Sequence, residues 1–221
     1  MGKRRILIVD DHPIFRHGLA QLINQAHDLV VCGEAEDYHG AWKAVNDLNP
    51  DMLIVDITLK NMSGIDLIKD LHKQHKSLPV LVVSMHEESL YAERSLRAGA
   101  RGYIMKQEAS ENVIEAVRQV LQGRLYASKD VTDSLLSRFV EGSSQMSIES
   151  PVQCLTDREL EVFRLIGEGK SISEIGDRLN LSVKTIGTYR ERIKEKLQIK
   201  TATELLRYAM KWLEDESRDT E

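Results

Sequence analysis

Several features are missing from this chain of 221 residues, and each absence removes a class of protein. No run of eighteen apolar residues occurs, and Met1-Gly2-Lys3-Arg4-Arg5 leads straight into a strand-like segment, so neither a membrane span nor a secretory signal is expected. There are only 2 cysteines, Cys32 and Cys154, in different segments, with no Cys-x-x-Cys and no paired histidine beside them. They read as unpaired thiols of a reducing cytoplasm, not as a disulfide or a zinc site. No Gly-x-Gly-x-x-Gly follows the first strand, which argues against a dinucleotide-binding fold. Internal repeats are absent, and the acidic C-terminal tail is the one biased tract.

What is present is length enough for two modest domains and an uneven distribution of charge. The net charge is −5, yet residues 151–213 carry 12 Lys and Arg against 9 Asp and Glu. Such mild positivity supports nucleic-acid binding only weakly; its placement on one helix, below, matters more.

Five apolar runs, near residues 6–9, 29–32, 52–55, 80–83 and 103–105, alternate with amphipathic segments. Ile14, Leu19, Leu22 and Ile23 mark the first such segment, followed by Ala41/Val45/Leu48, Leu67/Ile68/Leu71 and Leu90/Leu96. The fifth runs through Val113, Ile114, Val117, Val120 and Leu121, with Ser110 as the expected N-cap. Short β-branched runs between helices predict buried parallel strands, and five βα units predict an α/β, doubly wound, flavodoxin-like sheet of strand order 2-1-3-4-5. Beyond it, Val131, Leu135, Leu136 and Phe139 suggest a short helix, and Glu141-Gly142-Ser143-Ser144-Gln145 reads as a linker. The last segment is all-helical. Capping boxes at Thr156…Glu159, Ser171…Glu174 and Thr201…Glu204 announce three helices, and Ser182 opens a fourth.

Four of the predicted strands end in residues suited to a phosphate or its metal: Asp10 and Asp11, Asp56, Ser84, and Lys106. In open parallel sheets ligands bind beyond the carboxyl ends of the strands, so these side chains are expected to meet at one rim. Asp56 is the candidate nucleophile, since a carboxylate can accept a phosphoryl group as an acyl-phosphate. Mg²⁺ keeps several waters and needs few protein oxygens; Asp11 and Asp56 would bind it directly, Asp10 through water, with the backbone carbonyl of Thr58 as a third protein ligand. Lys106 and the Ser84 hydroxyl would neutralise and orient the phosphoryl oxygens.

These residues, with Ser84-Met85-His86 and Arg97-Ala98-Gly99-Ala100-Arg101-Gly102-Tyr103, resemble the receiver domain of two-component response regulators over residues 4–122. The resemblance implies phosphorylation of Asp56 by a histidine kinase, movement of Ser84 toward the phosphate, and an inward turn of Tyr103 as the switch aromatic. It also implies weak self-hydrolysis of the acyl-phosphate, not metabolic enzyme activity. Lys60 stands where many receivers have proline, and Gln107 follows Lys106 where many have Lys-Pro.

In the last helices, Leu155-Thr156-Asp157-Arg158-Glu159-Leu160-Glu161-Val162, Ser173-Glu174-Ile175, Leu181-Ser182-Val183-Lys184-Thr185-Ile186 and Lys196-Leu197 resemble the LuxR-type helix-turn-helix domain, giving the chain a NarL/FixJ-type plan. The expected division is a receiver over 4–122, a linker with a short helix over 123–152, a helix-turn-helix domain over 153–214 and an acidic, disordered tail over 215–221. The helix over 183–197 is expected to bury Val183, Ile186, Ile193 and Leu197 and to present Lys184, Thr185, Thr188, Tyr189, Arg190, Arg192, Lys194 and Lys196, with Ser182 capping it, to the phosphates and major groove of double-stranded DNA. Gly187 and Glu191 stand where family members often carry base-reading side chains. Tyr208, Met210 and Trp212 resemble the helix that completes and dimerises such domains. The expected function is a phosphorylation-switched, cytoplasmic transcription regulator with a kinase, DNA, a second copy and RNA polymerase as partners. Two alternatives differ in class. One is a phosphorylation-independent DNA-binding protein whose receiver only dimerises. The other is a haloacid-dehalogenase-like phosphohydrolase, which would want an acid where Thr58 stands.

Overall fold

A computed structural model describes residues 2–59, 62–85, 88–129, 131–133 and 151–218. They fall into two compact units, one within 1–145 and the other within 146–221.

The first unit alternates strand and helix: β1 (Arg4–Val9), α1 (Pro13–Gln25), β2 (Leu29–Ala35), α2 (Tyr38–Leu48), β3 (Met52–Val55), α3 (Gly64–Gln74), β4 (Val80–Ser84), α4 (Glu88–Ala98), β5 (Gly102–Met105) and α5 (Lys106–Leu121). All pairings are parallel and the order is β2-β1-β3-β4-β5. Side chains alternate across the pleat, so Ile6 and Ile8 share one face with Met52, Ile54, Leu81, Val83 and Ile104. Leu19 and Ile23 of α1 and Val113, Val117 and Val120 of α5 close that face. Residues of opposite parity, Leu7, Val9, Leu53, Val55, Val82 and Tyr103, are equally buried, as a sheet covered on both sides requires.

Three helices differ from the periodicity. In α1, Ile14 is 91% exposed while Leu19, Ala20 and Ile23 are buried, because the first turn stands at the sheet rim and Phe15 is the residue that turns inward. In α4 the buried stripe is Tyr91, Ala92, Ser95 and Ala98, with Leu96 only half-buried. α5 begins at Lys106, a full turn before Ser110, with Met105 at the N-cap and no side-chain cap. Burial of Lys106 and Ala109 against the rest of the unit draws that extra turn into the helix and outweighs the local cap signal.

The sheet does not stop at residue 122. Gly102 bridges in parallel to Tyr126: the Tyr103 N–H donates to the Tyr126 carbonyl (2.8 Å) and the Tyr126 N–H to the Arg101 carbonyl (3.0 Å). The Ser128 N–H then donates to the Glu88 carboxylate (2.8 Å), and the Ser128 hydroxyl accepts from the Val131 N–H (3.3 Å) as a helix starts. Leu135, Leu136, Phe139 and the expected linker at 141–145 lie outside the described residues, as does Lys60.

The second unit opens with a 3-10 turn (Pro151–Cys154) and continues as α6 (Asp157–Gly167), α7 (Ile172–Leu179), α8 (Val183–Leu197) and α9 (Ala202–Arg218). The boxes at Thr156/Glu159 and Ser171/Glu174 close in both directions, and Glu204 and Thr201 exchange the same pair of bonds. Ser182 caps α8 by accepting from the Thr185 N–H (3.1 Å). Between α7 and α8 the chain turns at Asn180 in the left-handed region (φ 51°), and the Leu181 N–H returns to the Gly176 carbonyl. A Cβ on Gly176 would lie 2.7 Å from the Leu181 carbonyl oxygen, so the tight turn requires glycine there. Phe163 is fully buried against Tyr208 and Trp212, with ring centroids 5.9 and 5.4 Å away. That anchor continues α9 through Glu214 to Arg218, so the expected disordered tail is helical up to this point.

The second unit also buries Arg158, whose guanidinium donates to Glu161 and to the Leu179 carbonyl (3.0 Å), tying α6 to the end of α7. Removing one member of such a pair leaves a buried charge short of a partner. Arg158→Ala is expected to destabilise the C-terminal unit by about 3 kcal/mol and to leave the melting of the N-terminal unit in place, as followed by urea unfolding with probes on each unit.

Candidate functional site

The site is assembled by ladder bonds that run past the formal strand ends. The Asp10 N–H donates to the Ala35 carbonyl (3.0 Å) and the Asp56 N–H to the Val9 carbonyl (2.9 Å), so both residues are fixed at the carboxyl rim. Asp10 and Asp56 are buried, with 2% and 3% exposure, and Asp11 lies beside them half-buried. Between them stands Lys106, brought to the rim by the break between β5 and α5. Its Nζ lies 2.7 Å from Asp10 Oδ2 and 2.7 Å from Asp56 Oδ2. The same ammonium sits 4.5 Å from the centroid of the Phe15 ring.

Burial is the main force on Asp56: together with the like charge of Asp10 it raises the carboxyl from 3.8 to about 7, against the pull of Lys106 and the Thr58 N–H. For Lys106, burial alone would depress the ammonium, but Asp56 and Asp10 outweigh it and hold it above the ordinary lysine value. The pair is thus an ammonium that stays charged and a carboxyl reluctant to ionise.

The other expected rim residues separate into two groups. The Thr58 N–H donates to Asp56 Oδ1 (3.3 Å), and Thr58 bridges to Ser63, which closes the loop after β3. Ser84 is fully buried at the end of β4, and its hydroxyl is hydrogen-bonded with the buried Tyr103 phenol, whose ionisation is suppressed by burial. Ser84 and Tyr103 therefore form a unit next to the carboxylates.

Four further residues complete the rim. His12 Nδ1 lies 2.7 Å from Asp11 and 3.3 Å from Asp10. Phe15 faces Lys106, as above. Arg16 donates to the Asp10 carbonyl (2.6 Å) and to Glu34 (3.0 Å), holding the β1–α1 corner to β2. Gly64 opens α3 directly under the phosphoacceptor candidate: a Cβ there would lie 1.9 Å from the Asp56 carbonyl oxygen, so no other residue fits without moving Asp56. Adjacency to the Asp pair was the available signal for His12; a glycine just after a helix-capping serine was the signal for Gly64.

On the second unit, Ser182, Lys184, Thr188, Arg192 and Lys196 are exposed along α8, and Thr185, Tyr189, Arg190 and Lys194 are half-buried. Several of these basic residues are already engaged. Lys194 pairs with Glu191 (2.8 Å). Lys196 Nζ reaches back to buried Glu159 (2.6 Å) and to the Cys154 carbonyl (3.3 Å), and this ammonium with the Thr156 cap holds Glu159 below its usual carboxyl value despite the burial that would raise it. Arg190 lines a cavity of about 290 Å³ with Ile166, Ile172, Ile175 and Leu206, because it follows Ile186 by four and precedes Ile193 by three on the inner face. Val183, expected inside, is 56% exposed, since the first turn of α8 projects past its neighbours. The outward set is Ser182, Lys184, Thr188 and Arg192.

A parallel rim of carboxylates with a captive lysine, followed by a capped helix-turn-helix, defines a class, and comparison with known proteins gives the same one. Residues 6–118 match the response regulator receiver domain and residues 153–209 match the bacterial regulatory proteins of the luxR family. The oxygen regulatory protein NreC of Staphylococcus epidermidis is 34% identical over 211 residues, covering 94% of this chain and 97% of that protein, and NreC of Staphylococcus carnosus is 34% identical over 210 residues. Among solved structures, the RcsB response regulator of Salmonella typhimurium is similar at a TM-score of 0.64 and 27% identity, covering 96% of this chain and 98% of that one. RcsB of Salmonella enterica serovar Typhimurium, bound to promoter rprA in the presence of the phosphomimetic BeF3-, is similar at a TM-score of 0.59 and 27% identity, over 95% and 99% of the two chains. This chain belongs to the response regulators that join a receiver domain to a LuxR-type DNA-binding domain. It is a two-component regulator of transcription, NreC-like in plan.

A carboxyl raised in the folded state costs stability once the unfolded chain ionises, a cost that starts above 3.8 and is complete above about 7. In metal-free buffer, Asp56→Asn is therefore expected to gain stability over the parent as pH rises through that window, on the order of 4 kcal/mol, and none below it. Urea midpoints across the pH series read this directly; a gain independent of pH would contradict the assignment.

Proposed function

We propose that Asp56 is the phosphoacceptor of this regulator and that a sensor histidine kinase is its donor. The observation that carries the reading is the Lys106 ammonium, 2.7 Å from both Asp56 and Asp10 at the strand rim. An Asp56 carboxylate oxygen attacks phosphorus, the phosphorus–nitrogen bond of a phosphohistidine breaks, and the electron pair returns to the imidazole, which takes up a proton. Lys106 offers its charge to one oxygen of the transferred group, and the Thr58 N–H, now on Asp56 Oδ1, steadies the acceptor. The donor set fits a hard divalent cation: Asp10, Asp11 and Asp56 place ligand atoms, with one from His12, within 4.8 Å of one another. Asp11, Asp56 and the Thr58 carbonyl would hold Mg²⁺, with Asp10 in support. When bound, the ion neutralises charge on the phosphoryl oxygens.

The Ser84–Tyr103 pair supports a role as the switch. Capture of the Ser84 hydroxyl by a phosphate oxygen would release the Tyr103 phenol and shift β5, to which Tyr126 is paired. The output is then carried by α8 in the major groove of DNA, with Ser182, Lys184, Thr188 and Arg192 foremost, by a homodimer, and by RNA polymerase downstream. A DNA target implies a cytoplasmic setting, and among the described residues no helix is long and apolar enough to cross a membrane. Slow hydrolysis of the acyl-phosphate at Asp56 belongs to the same proposal.

Two experiments test it. The full chain is expected to incorporate phosphate from acetyl phosphate only with Mg²⁺ present, and Asp56→Asn to lose incorporation entirely. Unchanged labelling of that variant removes Asp56 from the role. On DNA, Lys184→Ala is expected to weaken binding roughly tenfold and to lower the salt slope by about 1, with an unaltered melting temperature. Lys196→Ala is expected chiefly to lower that temperature, since Glu159 loses its partner.

A further inference from the structure

His12 is bound into the acidic rim more tightly than a chance neighbour of the Asp pair. Its N–H donates to Asp10 Oδ1 (2.8 Å), and Pro13, in the first turn of α1, restricts it to the extended backbone it adopts (φ −91°, ψ 102°). The imidazole is thereby aimed over the carboxylates, with Nδ1 2.7 Å from Asp11 Oδ1, 3.3 Å from Asp10 Oδ1 and 3.9 Å from Asp56 Oδ2. Adjacent donors around an octahedral ion with bonds of about 2.1 Å lie about 3 Å apart, and the two shorter separations bracket that spacing. The ring remains 61% exposed, open to an ion arriving from solvent. A fourth carboxylate at this point would add repulsion to three that already oppose one another, whereas an imidazole offers a nitrogen donor without a further anion.

We propose that His12 is a nitrogen ligand of the receiver's metal site and turns its preference toward transition ions such as Mn²⁺, Co²⁺ and Ni²⁺. The proposal rests on the reading of the acidic rim as a metal site. Oxygen donors alone suit Mg²⁺, whereas imidazole strengthens binding of first-row transition ions and contributes little to a hard, hydrated one.

The test uses the full chain and Mn²⁺ as the only added ion, in mildly alkaline buffer. Electron spin echo modulation is expected to show directly coordinated ring nitrogen in the parent and to lose it in both His12→Asn and His12→Gln. Calorimetric titration is expected to give a roughly tenfold or larger loss of Ni²⁺ affinity in these variants and less than about threefold for Mg²⁺. Mn²⁺ that binds without nitrogen coupling, or coupling that survives in both variants, overturns the role of His12 and leaves the metal site standing. A parent chain that binds neither Mn²⁺ nor Mg²⁺ overturns the metal site itself.

Discussion

The Lys106 ammonium between Asp10 and Asp56 is the interaction on which the receiver's rim is built. It joins the ends of β1 and β3 to the start of α5, three elements far apart in sequence. Without a cation in that place, two carboxylates almost closed to water would face each other directly, and a buried like-charged pair neutralises itself by taking up a proton. The lysine is itself held by geometry: α5 starts at the residue immediately after β5, so the side chain cannot swing far from the rim. Phe15 caps the ammonium from the α1 side and Arg16 pins the Asp10 carbonyl, so the pocket is rigid on the side where it meets β2. A rigid rim of this kind suits chemistry that demands positioning more than covalent participation by many groups.

Much of this was readable from the chain because its signals are local. β-branched runs ending in Asp, Ser or Lys place those residues at strand ends, and the rule for open parallel sheets brings the ends together; the strand order β2-β1-β3-β4-β5 follows from the same unit repeat. Less was readable where a neighbour from another element decides. Ser110 has the side chain of a helix cap, but the burial of Lys106 and Ala109 starts α5 a turn earlier. Ile14 and Phe15 are both apolar, and Phe15 is the inward one, in line with buried Leu19 and Ile23 and facing Lys106. Gly64 looks like any glycine near a turn until the Asp56 carbonyl is found beneath it.

The C-terminal unit shows the complementary case. Its helix starts are written in reciprocal side-chain caps, a code of four residues that needs no distant partner, and three of them close as the spacing implies. The division of labour among the basic residues of α8 is not written that way. Arg190 turns inward because it shares a face with Ile186 and Ile193, and Lys196 is drawn to Glu159 from the far end of the fold. A helix rich in basic residues thus carries fewer free cations than its composition suggests, chiefly Lys184 in its first turn and Arg192 beyond its middle. Of these, Lys184 stands at the end where backbone N–H groups add their own positive field.

The pairing of Tyr126 with Gly102 has a consequence for the outer margin of the sheet. β5 is the last strand, and its backbone groups would otherwise present an open template to any extended chain. The stretch after α5 lies across part of that margin and occupies its hydrogen bonds. A receiver trimmed at residue 122 would lose this cover and gain a sticky flank, inviting strand-to-strand association between molecules that has no counterpart in signalling. The segment joining the two halves of the protein therefore also acts as a guard against self-adhesion.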